Sequence, residues 1–228
     1  MDLKIKDIVT LLNVPEKTVY SWIKKNEIPF YRINHQYRFS RAEINEWILK
    51  TRQEFSSSLI NLINTENQTT LSLLIERGEI IKLESGESVP DILRSAVEKI
   101  KLPESLTKDE LLGALLNREE LMPTAIGNGI AIPHPRNPIV TDGNNSSVSI
   151  CYLSNPVEFG ALDNQPVHTL FILITATPRM HLEALSKISY LCQNNLFIEL
   201  LKRKTNKEEI LTNIVAMESD WCNRGIKN

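Results

Sequence analysis

The segment GNGIAIPHPR holds one histidine, His134, between two prolines. Gly127 and Gly129 precede it and can adopt backbone conformations that other residues avoid, while the two prolines restrict the backbone on either side. A neutral imidazole can attack phosphorus directly, and a rigid loop loses little entropy when it presents that nucleophile. The segment therefore suits a nucleophilic histidine that accepts a phosphoryl group. Taken alone, a histidine beside proline is more often structural.

Other catalytic chemistries lack their usual patterns in this sequence. The four histidines and three cysteines show no metal-ligand spacing such as CxxC or HExxH, and neither a P-loop nor a Gly-x-Ser-x-Gly elbow is present. We therefore expect no metal and no bound cofactor.

Composition and cysteine usage indicate a globular cytoplasmic protein. Of the 228 residues, 42% are hydrophobic and 24% charged, and no apolar run reaches the roughly 18–20 residues that a membrane helix needs. The first ten residues are too polar for a secretory signal. The three cysteines, Cys151, Cys192 and Cys222, are widely spaced and odd in number, which argues against a disulfide framework and for reduced thiols. We therefore predict a cytoplasmic location without membrane insertion.

The elements around His134 alternate between helix and strand, which predicts an α/β layered domain. Helices are expected over LSLLIER up to Gly78, from Ser88 to Ile100, from Thr107 to about Leu116, and over 179–193, 195–203 and 207–216. Strands are expected around EIIKL, GIAI, SVSICYL and TLFILIT. Thr107 with Glu110 predicts a capping box, and Thr205 with Glu208 predicts a cap for the last helix.

The first fifty residues have a different organisation. Apolar residues at helical spacing over IKDIVTLL predict one short helix, and a second is expected to begin at Pro15, with Val19, Trp22 and Ile23 on its apolar face. Two short helices joined by a tight turn form a helix-turn-helix. The segment PFYRINHQYRF then predicts a β-hairpin.

A third helix is expected to follow the hairpin, and Ser40 with Glu43 predicts a capping box at its start. Its apolar face would consist of Ile44, Trp47 and Ile48. Trp22 and Trp47 can then close a small core that neither helix could form alone.

Charge separates the two parts of the chain. Residues 1–52 hold ten Lys/Arg and six Asp/Glu, whereas the remainder holds sixteen and twenty-two. A basic first quarter on an acidic remainder suggests two modules with different partners, although charge also varies along ordinary chains. We predict one domain at 1–52, a linker at 53–69, a second domain at 70–218 and a tail at 219–228.

The stretch IKDIVTLLNVPEKTVYSWIKKNEIPFYRINHQYRFSRAEINEWI resembles the excisionase-type branch of the winged MerR-like DNA-binding domains. The resemblance implies that the second helix enters the major groove while the hairpin wing lies along the backbone or minor groove. The candidate DNA contacts are Lys17, Thr18, Tyr20, Ser21 and Lys24 on the helix and Arg32, His35 and Arg38 on the wing. Base readout needs donors on the helix face, and phosphate contacts need cations around it. A charged helix can also be only a solvated face, and useful affinity would call for a dimer or tandem sites.

The stretch NREELMPTAIGNGIAIPHPR resembles the phosphorylation-site segment of enzyme IIA from the fructose–mannitol–nitrogen-regulatory (PtsN-like) branch of the sugar phosphotransferase system. The resemblance covers roughly residues 70–217, including PVHTLFILIT and HLEALSKIS. It implies a central mixed sheet flanked by helices and a phosphoryl group accepted by His134 from the histidine phosphocarrier protein. It also assigns Arg118 and His181 to the site.

These residues have distinct expected roles in phosphoryl transfer, which needs positioning and charge compensation more than covalent chemistry. Arg118 can offer a fork of donors to phosphoryl oxygens, and His181 heads a helix whose N-terminus favours anions. A capping or packing role is the alternative for His181. Gly129 and Arg136 are further candidates for phosphate contact, with solvent or partner contact as the alternative for Arg136. His168 is interpreted as a strand-edge histidine outside the site.

Three functions fit these observations. The preferred one is a DNA-binding transcriptional regulator whose enzyme IIA-like domain is phosphorylated at His134. A phosphocarrier that passes phosphate to a separate enzyme IIB or permease is the second, and a protein-binding regulatory module is the third. Steeply salt-dependent DNA binding would favour the regulator, and rapid onward transfer would favour the carrier.

Overall fold

The computed structural model describes most of the chain: residues 2–12, 14–33, 36–40, 43–44, 47, 70–84, 86 and 88–225. The chain divides into two compact units between residues 66 and 67. The predicted linker, residues 53–69, lies outside the described residues. No helix in the described ranges combines the length and apolar character needed to cross a membrane.

The first unit is a helix-turn-helix followed by a hairpin. Its described elements are β1 (Asp2–Leu3), α1 (Ile5–Leu12), α2 (Glu16–Lys24), β2 (Tyr31–Ile33) and β3 (Gln36–Ser40). The strands form an antiparallel sheet in the order β1-β3-β2. The helix α2 begins at Glu16, one residue after the predicted start at Pro15, which is instead the N-cap and makes no side-chain capping hydrogen bond. The first two predicted helices and the strands of the predicted wing are therefore confirmed.

The core of the first unit joins these elements. Ile8, Val19 and Phe39 are completely buried, so α1, α2 and the wing share one apolar interior. The rings of Trp22 and Trp47 lie 5.1 Å apart at 61°, and the Trp47 indole N–H donates to the Glu27 carbonyl, as the predicted tryptophan core requires. Of the predicted third helix, Ile44 and Trp47 are buried; its remainder, including Ile48, lies outside the described residues.

The second unit is an α/β domain built on a five-stranded sheet. Its helices are α3 (Leu71–Arg77), α4 (Val89–Lys99), α5 (Lys108–Leu121), α6 (Pro178–Leu191), α7 (Asn195–Lys202) and α8 (Lys207–Gly225). Its strands are β4 (Ile80–Leu83), β5 (Ala125–Gly127), β6 (Ile130–Ala131), β7 (Ser147–Val157) and β8 (Val167–Ile174). The sheet order is β4-β7-β8-β6-β5, and it is mixed because β4–β7 and β6–β8 are parallel while β7–β8 and β5–β6 are antiparallel.

Both faces of this sheet are covered. On β8, Leu170 and Ile172 pack in one core with residues of α4 and α5. Phe171 and Leu173 alternate with them and are also completely buried, which places them on the opposite face. Near-continuous apolar strands such as TLFILIT result from this two-sided burial. The predicted α/β class and mixed sheet are confirmed.

Helix boundaries differ from the sequence prediction at several ends. The largest difference is in α8, which continues to Gly225 instead of ending at the predicted residue 216, so the predicted tail at 219–228 is helical as far as residue 225. The capping box of Thr107 and Glu110 is present, but α5 continues five residues past Leu116 and so includes Arg118. The predicted Thr205 cap of the last helix is wrong. Asn206 accepts the hydrogen bond from the Glu209 N–H (3.0 Å), while the Thr205 hydroxyl donates to the Leu200 carbonyl at the end of α7. Both side chains suit a cap, and the path of the preceding loop decides between them.

The first and last helices of this unit are joined by one carboxylate. Glu218 on α8 accepts hydrogen bonds from the backbone N–H groups of Leu71 and Ser72 (2.7 and 3.1 Å) and from the Ser72 hydroxyl (2.7 Å). It also binds Lys187 of α6 at 2.9 Å, with side chains 12% and 6% exposed respectively. We call these contacts the Glu218 clasp. They satisfy the first N–H groups of α3, which no intrahelical carbonyl can reach.

We expect Glu218→Gln to destabilise the protein by about 3 kcal/mol at neutral pH, because it leaves Lys187 buried without its counter-charge. Burial alone would raise the pKa of Glu218, but the hydrogen bond from Ser72 and the Lys187 charge outweigh it and hold the pKa below its ordinary value. A carboxylate with a lowered pKa stabilises the fold above its unfolded pKa, and this stabilisation is lost as pH falls through the folded pKa. Urea unfolding of the unmodified protein and of Glu218→Gln between pH 3 and pH 7 tests this. The difference between their free energies of unfolding should disappear at the acid end. A difference independent of pH would contradict this account.

Candidate functional site

His134 is held by its own loop. The Leu173 N–H of β8 donates to the Pro133 carbonyl (3.0 Å), which fixes the loop to the centre of the sheet. The imidazole is 3% exposed, and its Nδ1 lies 2.6 Å from the Ile132 carbonyl oxygen. A carbonyl oxygen only accepts hydrogen bonds, so Nδ1 carries the proton.

Arg118 reaches the same ring from the end of α5. Its Nε–H donates to Nε2 of His134 at 3.2 Å, and its Nη1 donates to the Met122 carbonyl at 2.7 Å. A guanidinium only donates, so Nε2 must be the acceptor. The two contacts thus assign the same neutral tautomer to His134, with the lone pair of Nε2 as the nucleophile.

The end of α5, which carries Arg118, is connected to the His134 strand by Glu119 and Thr124. The Glu119 carboxylate accepts hydrogen bonds from the Thr124 N–H (2.9 Å) and hydroxyl (2.6 Å), and the Thr124 carbonyl accepts one from the Ile132 N–H (3.1 Å). These bonds join the end of α5 to the strand that leads to His134. Sequence reasoning did not select either residue. The signal was the acid directly after Arg118 and the threonine five residues further on.

His181 completes the group from the first turn of α6, which Thr177 caps. Its ring lies 4.8 Å from the His134 ring at 66°, and its Nδ1 is 3.4 Å from the Thr175 hydroxyl. The structure therefore brings together the three residues predicted for phosphoryl transfer, from α5, the loop after β6 and α6. Arg136 is exposed, and its role in phosphate contact stays a prediction.

The glycines before His134 form a tight hairpin between β5 and β6. Gly127, Asn128 and Gly129 have φ values of 91°, 56° and 72°, and positive φ at both central residues is typical of a type I′ turn. The Asn128 N–H donates to Asp163 (2.8 Å) and its side-chain amide to the Cys192 carbonyl (3.1 Å). The predicted need for unusual backbone conformations is confirmed.

Gly129 packs against His168 of β8. Its carbonyl accepts hydrogen bonds from the N–H groups of His168 (2.8 Å) and Thr169 (3.2 Å). A Cβ at this position would lie 2.4 Å from the His168 ring. Its predicted contact with phosphate stays untested, but packing against His168 already accounts for a glycine here.

His168 lies at the opposite end of β8 from the site. Ile130 of β6 is paired with Thr169, whereas the Pro133 carbonyl is bonded to Leu173. At about 3.3 Å per residue, the five residues from His168 to Leu173 span on the order of 15 Å. Burial, followed by the charge of Lys202, lowers the pKa of His168. A neutral strand histidine packed on glycine is the role that these contacts support.

We expect Gly129→Ala to destabilise the protein by about 2–5 kcal/mol. Left-handed backbone costs a non-glycine residue about 1–2 kcal/mol, and overpacking against His168 adds about 1–3 kcal/mol. Denaturant unfolding of Gly129→Ala and of Gly129→Ala with His168→Ala should show that the second change restores part of the loss. A full loss that His168→Ala leaves untouched would argue against the packing explanation.

The candidate DNA-binding residues lie on α2 and the wing. The side chains of Lys17, Ser21, Lys24 and Arg32 are exposed, and Tyr20 is 47% exposed. Thr18 and Arg38 are half-buried, and His35 lies outside the described residues. Positions 17, 20, 21 and 24 share one face of the helix. Within the described ranges, no cluster of three His, Cys, Asp or Glu side chains could hold a metal ion.

Comparison with known protein families identifies both units. The model of the family described as phosphoenolpyruvate-dependent sugar phosphotransferase system, EIIA 2, matches residues 74–216. A helix-turn-helix domain model matches residues 3–52.

Individual relatives agree with this division. The nitrogen regulatory protein of Escherichia coli (strain K12) is 29% identical over 162 residues, which cover 68% of this chain and 96% of the relative. The transcriptional regulator ManR of Bacillus subtilis (strain 168) is 27% identical over 228 residues, covering 83% of this chain and 34% of ManR. The crystal structure of the nitrogen regulatory protein IIA-Ntr from Neisseria meningitidis superposes with a TM-score of 0.54 at 28% identity, covering 63% of this chain and 97% of that one. The chain belongs to the EIIA 2 family of the phosphotransferase system and carries a helix-turn-helix domain ahead of its EIIA domain.

Proposed function

We propose that this protein is a DNA-binding transcriptional regulator whose activity follows the phosphorylation state of His134. The observation that carries the proposal is the pair of contacts on the His134 ring, Nδ1 to the Ile132 carbonyl and Nε2 to Arg118. They hold a neutral imidazole with its nucleophilic nitrogen beside a cation. The arrangement suits the transfer of an anionic phosphoryl group.

The transfer step follows from the tautomer. Nε2 of His134 attacks the phosphorus of a phosphohistidine on the histidine phosphocarrier protein. The new N–P bond forms as the donor N–P bond breaks, and the donor imidazole leaves with that electron pair. The proton stays on Nδ1, hydrogen-bonded to the Ile132 carbonyl oxygen, and this bond stabilises the positive charge that develops on the ring.

Arg118 and His181 would stabilise the transferred group. Arg118 has to turn its donors from Nε2 to the phosphoryl oxygens, and its planar fork can bind two of them. The Thr175 hydroxyl can donate to Nδ1 of His181. In that arrangement the proton of the His181 ring is on Nε2, which can donate it to a third phosphoryl oxygen. The start of α6 adds the positive end of a helix dipole.

The exposed face of α2 and the cations of the wing support the DNA-binding half of the proposal. A helix with donors at positions 17, 20, 21 and 24 fits a major groove, and wing arginines fit the flanking phosphates. A relative named as a transcriptional regulator matches 83% of this chain, which further supports a regulator. The cytoplasm holds both the phosphocarrier and the DNA, so we place the protein there.

The experiment is to phosphorylate the purified protein with a reconstituted phosphoenolpyruvate-driven relay and to measure its DNA binding before and after. Duplexes selected by the protein from a random pool serve as probes, and intact mass measures phosphate occupancy. We expect an acid-labile adduct and a changed affinity for the selected duplex.

Two other outcomes would favour different functions. Rapid loss of the phosphate to an added enzyme IIB protein, with unchanged DNA affinity, would support a phosphocarrier. No adduct with competent donors would overturn the phosphoacceptor role and would direct attention to protein binding by the EIIA surface.

A further inference from the structure

Tyr37 lies at the centre of a cluster that connects the helix and the wing of the first unit. Its ring makes edge contacts with Phe30 (centroids 5.4 Å apart, 80°) and with Tyr20 of α2 (6.2 Å, 75°). The guanidinium of Arg32 lies 4.7 Å from the centroid of the same ring. One side chain on β3 thus contacts α2, β2 and the segment that joins them.

Tyr37 also binds Arg32 through its hydroxyl. Arg32 Nη2 donates to Tyr37 Oη at 2.6 Å, and the two residues are directly paired across β2 and β3. Arg32 is exposed whereas Tyr37 is half-buried. A long exposed side chain normally samples many rotamers, so these contacts restrict a cation that would otherwise move freely in solvent.

The restriction leaves most of the guanidinium available. Its five N–H donors lie in a rigid fork, and the Tyr37 hydroxyl uses one of them. Bidentate binding of a phosphate oxygen pair needs two more. Tyr20, which packs on the same Tyr37 ring, belongs to the exposed face of α2, so the ring links the position of the wing cation to the position of that face.

We propose that Tyr37 is a positioning residue that holds Arg32 against the DNA backbone beside the groove that α2 enters. The inference depends on the DNA-binding function proposed above. Tyr37 itself need not touch DNA, because it acts by reducing the entropy that Arg32 loses on binding. Sequence reasoning selected Arg32 and Tyr20 but not the residue that joins them.

A double-mutant cycle on full-length protein tests this role. Tyr37→Phe removes the hydroxyl and keeps the ring, and Arg32→Ala removes the cation. The probes are a duplex selected from a random pool and a random-sequence duplex of the same length, measured from 50 to 300 mM KCl. Lys25→Ala is the charge control, because Lys25 follows α2 and pairs with Glu27 (3.7 Å).

We expect Arg32→Ala to reduce the salt slope of binding by about 0.9, the value for one phosphate contact. Tyr37→Phe should keep the slope and weaken binding about two- to tenfold, the cost of ordering one long side chain. In the Arg32→Ala background, Tyr37→Phe should have no further effect. Lys25→Ala should change the salt slope less than Arg32→Ala does.

Two results would overturn the proposal in distinguishable ways. Unmodified protein that binds neither duplex at 50 mM KCl would overturn DNA binding and the role of Tyr37 together. Normal binding with a Tyr37→Phe effect that is absent, or equal with and without Arg32, would overturn the positioning role alone. Tryptophan fluorescence during denaturant unfolding shows whether each variant is folded, since Trp22 and Trp47 pack in this unit. A variant that has lost its fold can thus be distinguished from either of these two results.

Discussion

Replacing His134 with alanine is expected to abolish phosphoryl uptake completely. The methyl group of alanine supplies no nucleophile, and the neighbouring His181 cannot substitute because the relay must reach the nitrogen that Arg118 faces. The variant should remain folded, since the loop stays fixed by the bond between Leu173 and Pro133. Intact mass after exposure to the complete relay should show no acid-labile adduct.

His168→Ala provides the matched control. His168 is a half-buried histidine of the same domain, but it lies at the far end of β8, packed on Gly129. The His168→Ala variant should therefore be phosphorylated to the same extent as the unmodified protein. A surviving adduct on His134→Ala, mapped to His181 or His168, would show that the phosphoacceptor has been assigned to the wrong ring.

The second large effect is expected for Arg118. Arg118→Gln should slow phosphorylation about 10²–10³-fold, the usual cost of removing one donor that stabilises developing negative charge. Arg118→Lys should recover part of the rate, because it restores the charge but not the planar fork. Single-turnover transfer from the phosphorylated phosphocarrier protein measures these rates without a contribution from later steps.

Arg94→Gln controls for the loss of a positive charge, because Arg94 is exposed on α4. Its rate should match that of the unmodified protein. If Arg118→Gln kept a normal rate while remaining folded, the bond from Arg118 to His134 would be a packing contact, and phosphoryl charge compensation would have to come from elsewhere.

Local sequence patterns predicted the elements and the rigid loop at His134, whereas Arg118 and His181 were assigned to the site through the family resemblance. The helix-turn-helix, the wing, the α/β alternation and the rigid loop at His134 all depend on short-range rules of helix periodicity, turn chemistry and proline geometry. These rules do not predict which ring nitrogen of His134 carries the proton. The position of the proton depends on the Ile132 carbonyl and on Arg118, sixteen residues away.

The residues that sequence reasoning overlooked share a physical cause. Glu119, Thr124 and Tyr37 act by holding other side chains, and such roles appear only when two elements meet. The misplaced Thr205 cap has a similar origin, because Thr205 and Asn206 are both competent caps and the loop geometry selects one. A glycine in a site motif, such as Gly129, is equally ambiguous until its neighbour His168 is known.

The Glu218 clasp has a consequence for how such a domain can be combined with others. It brings the start of the EIIA unit, at Leu71 and Ser72, next to Glu218 in the last turns of α8, which continues to Gly225. Domains with adjacent ends can be inserted into other chains or circularly permuted with little disturbance. The family match covers residues 74–216, so a fragment trimmed to those limits would lose the carboxylate and both of its backbone donors. Lys187 would remain in the interior as an isolated charge, and the practical boundaries of this module therefore extend from residue 70 to beyond residue 218.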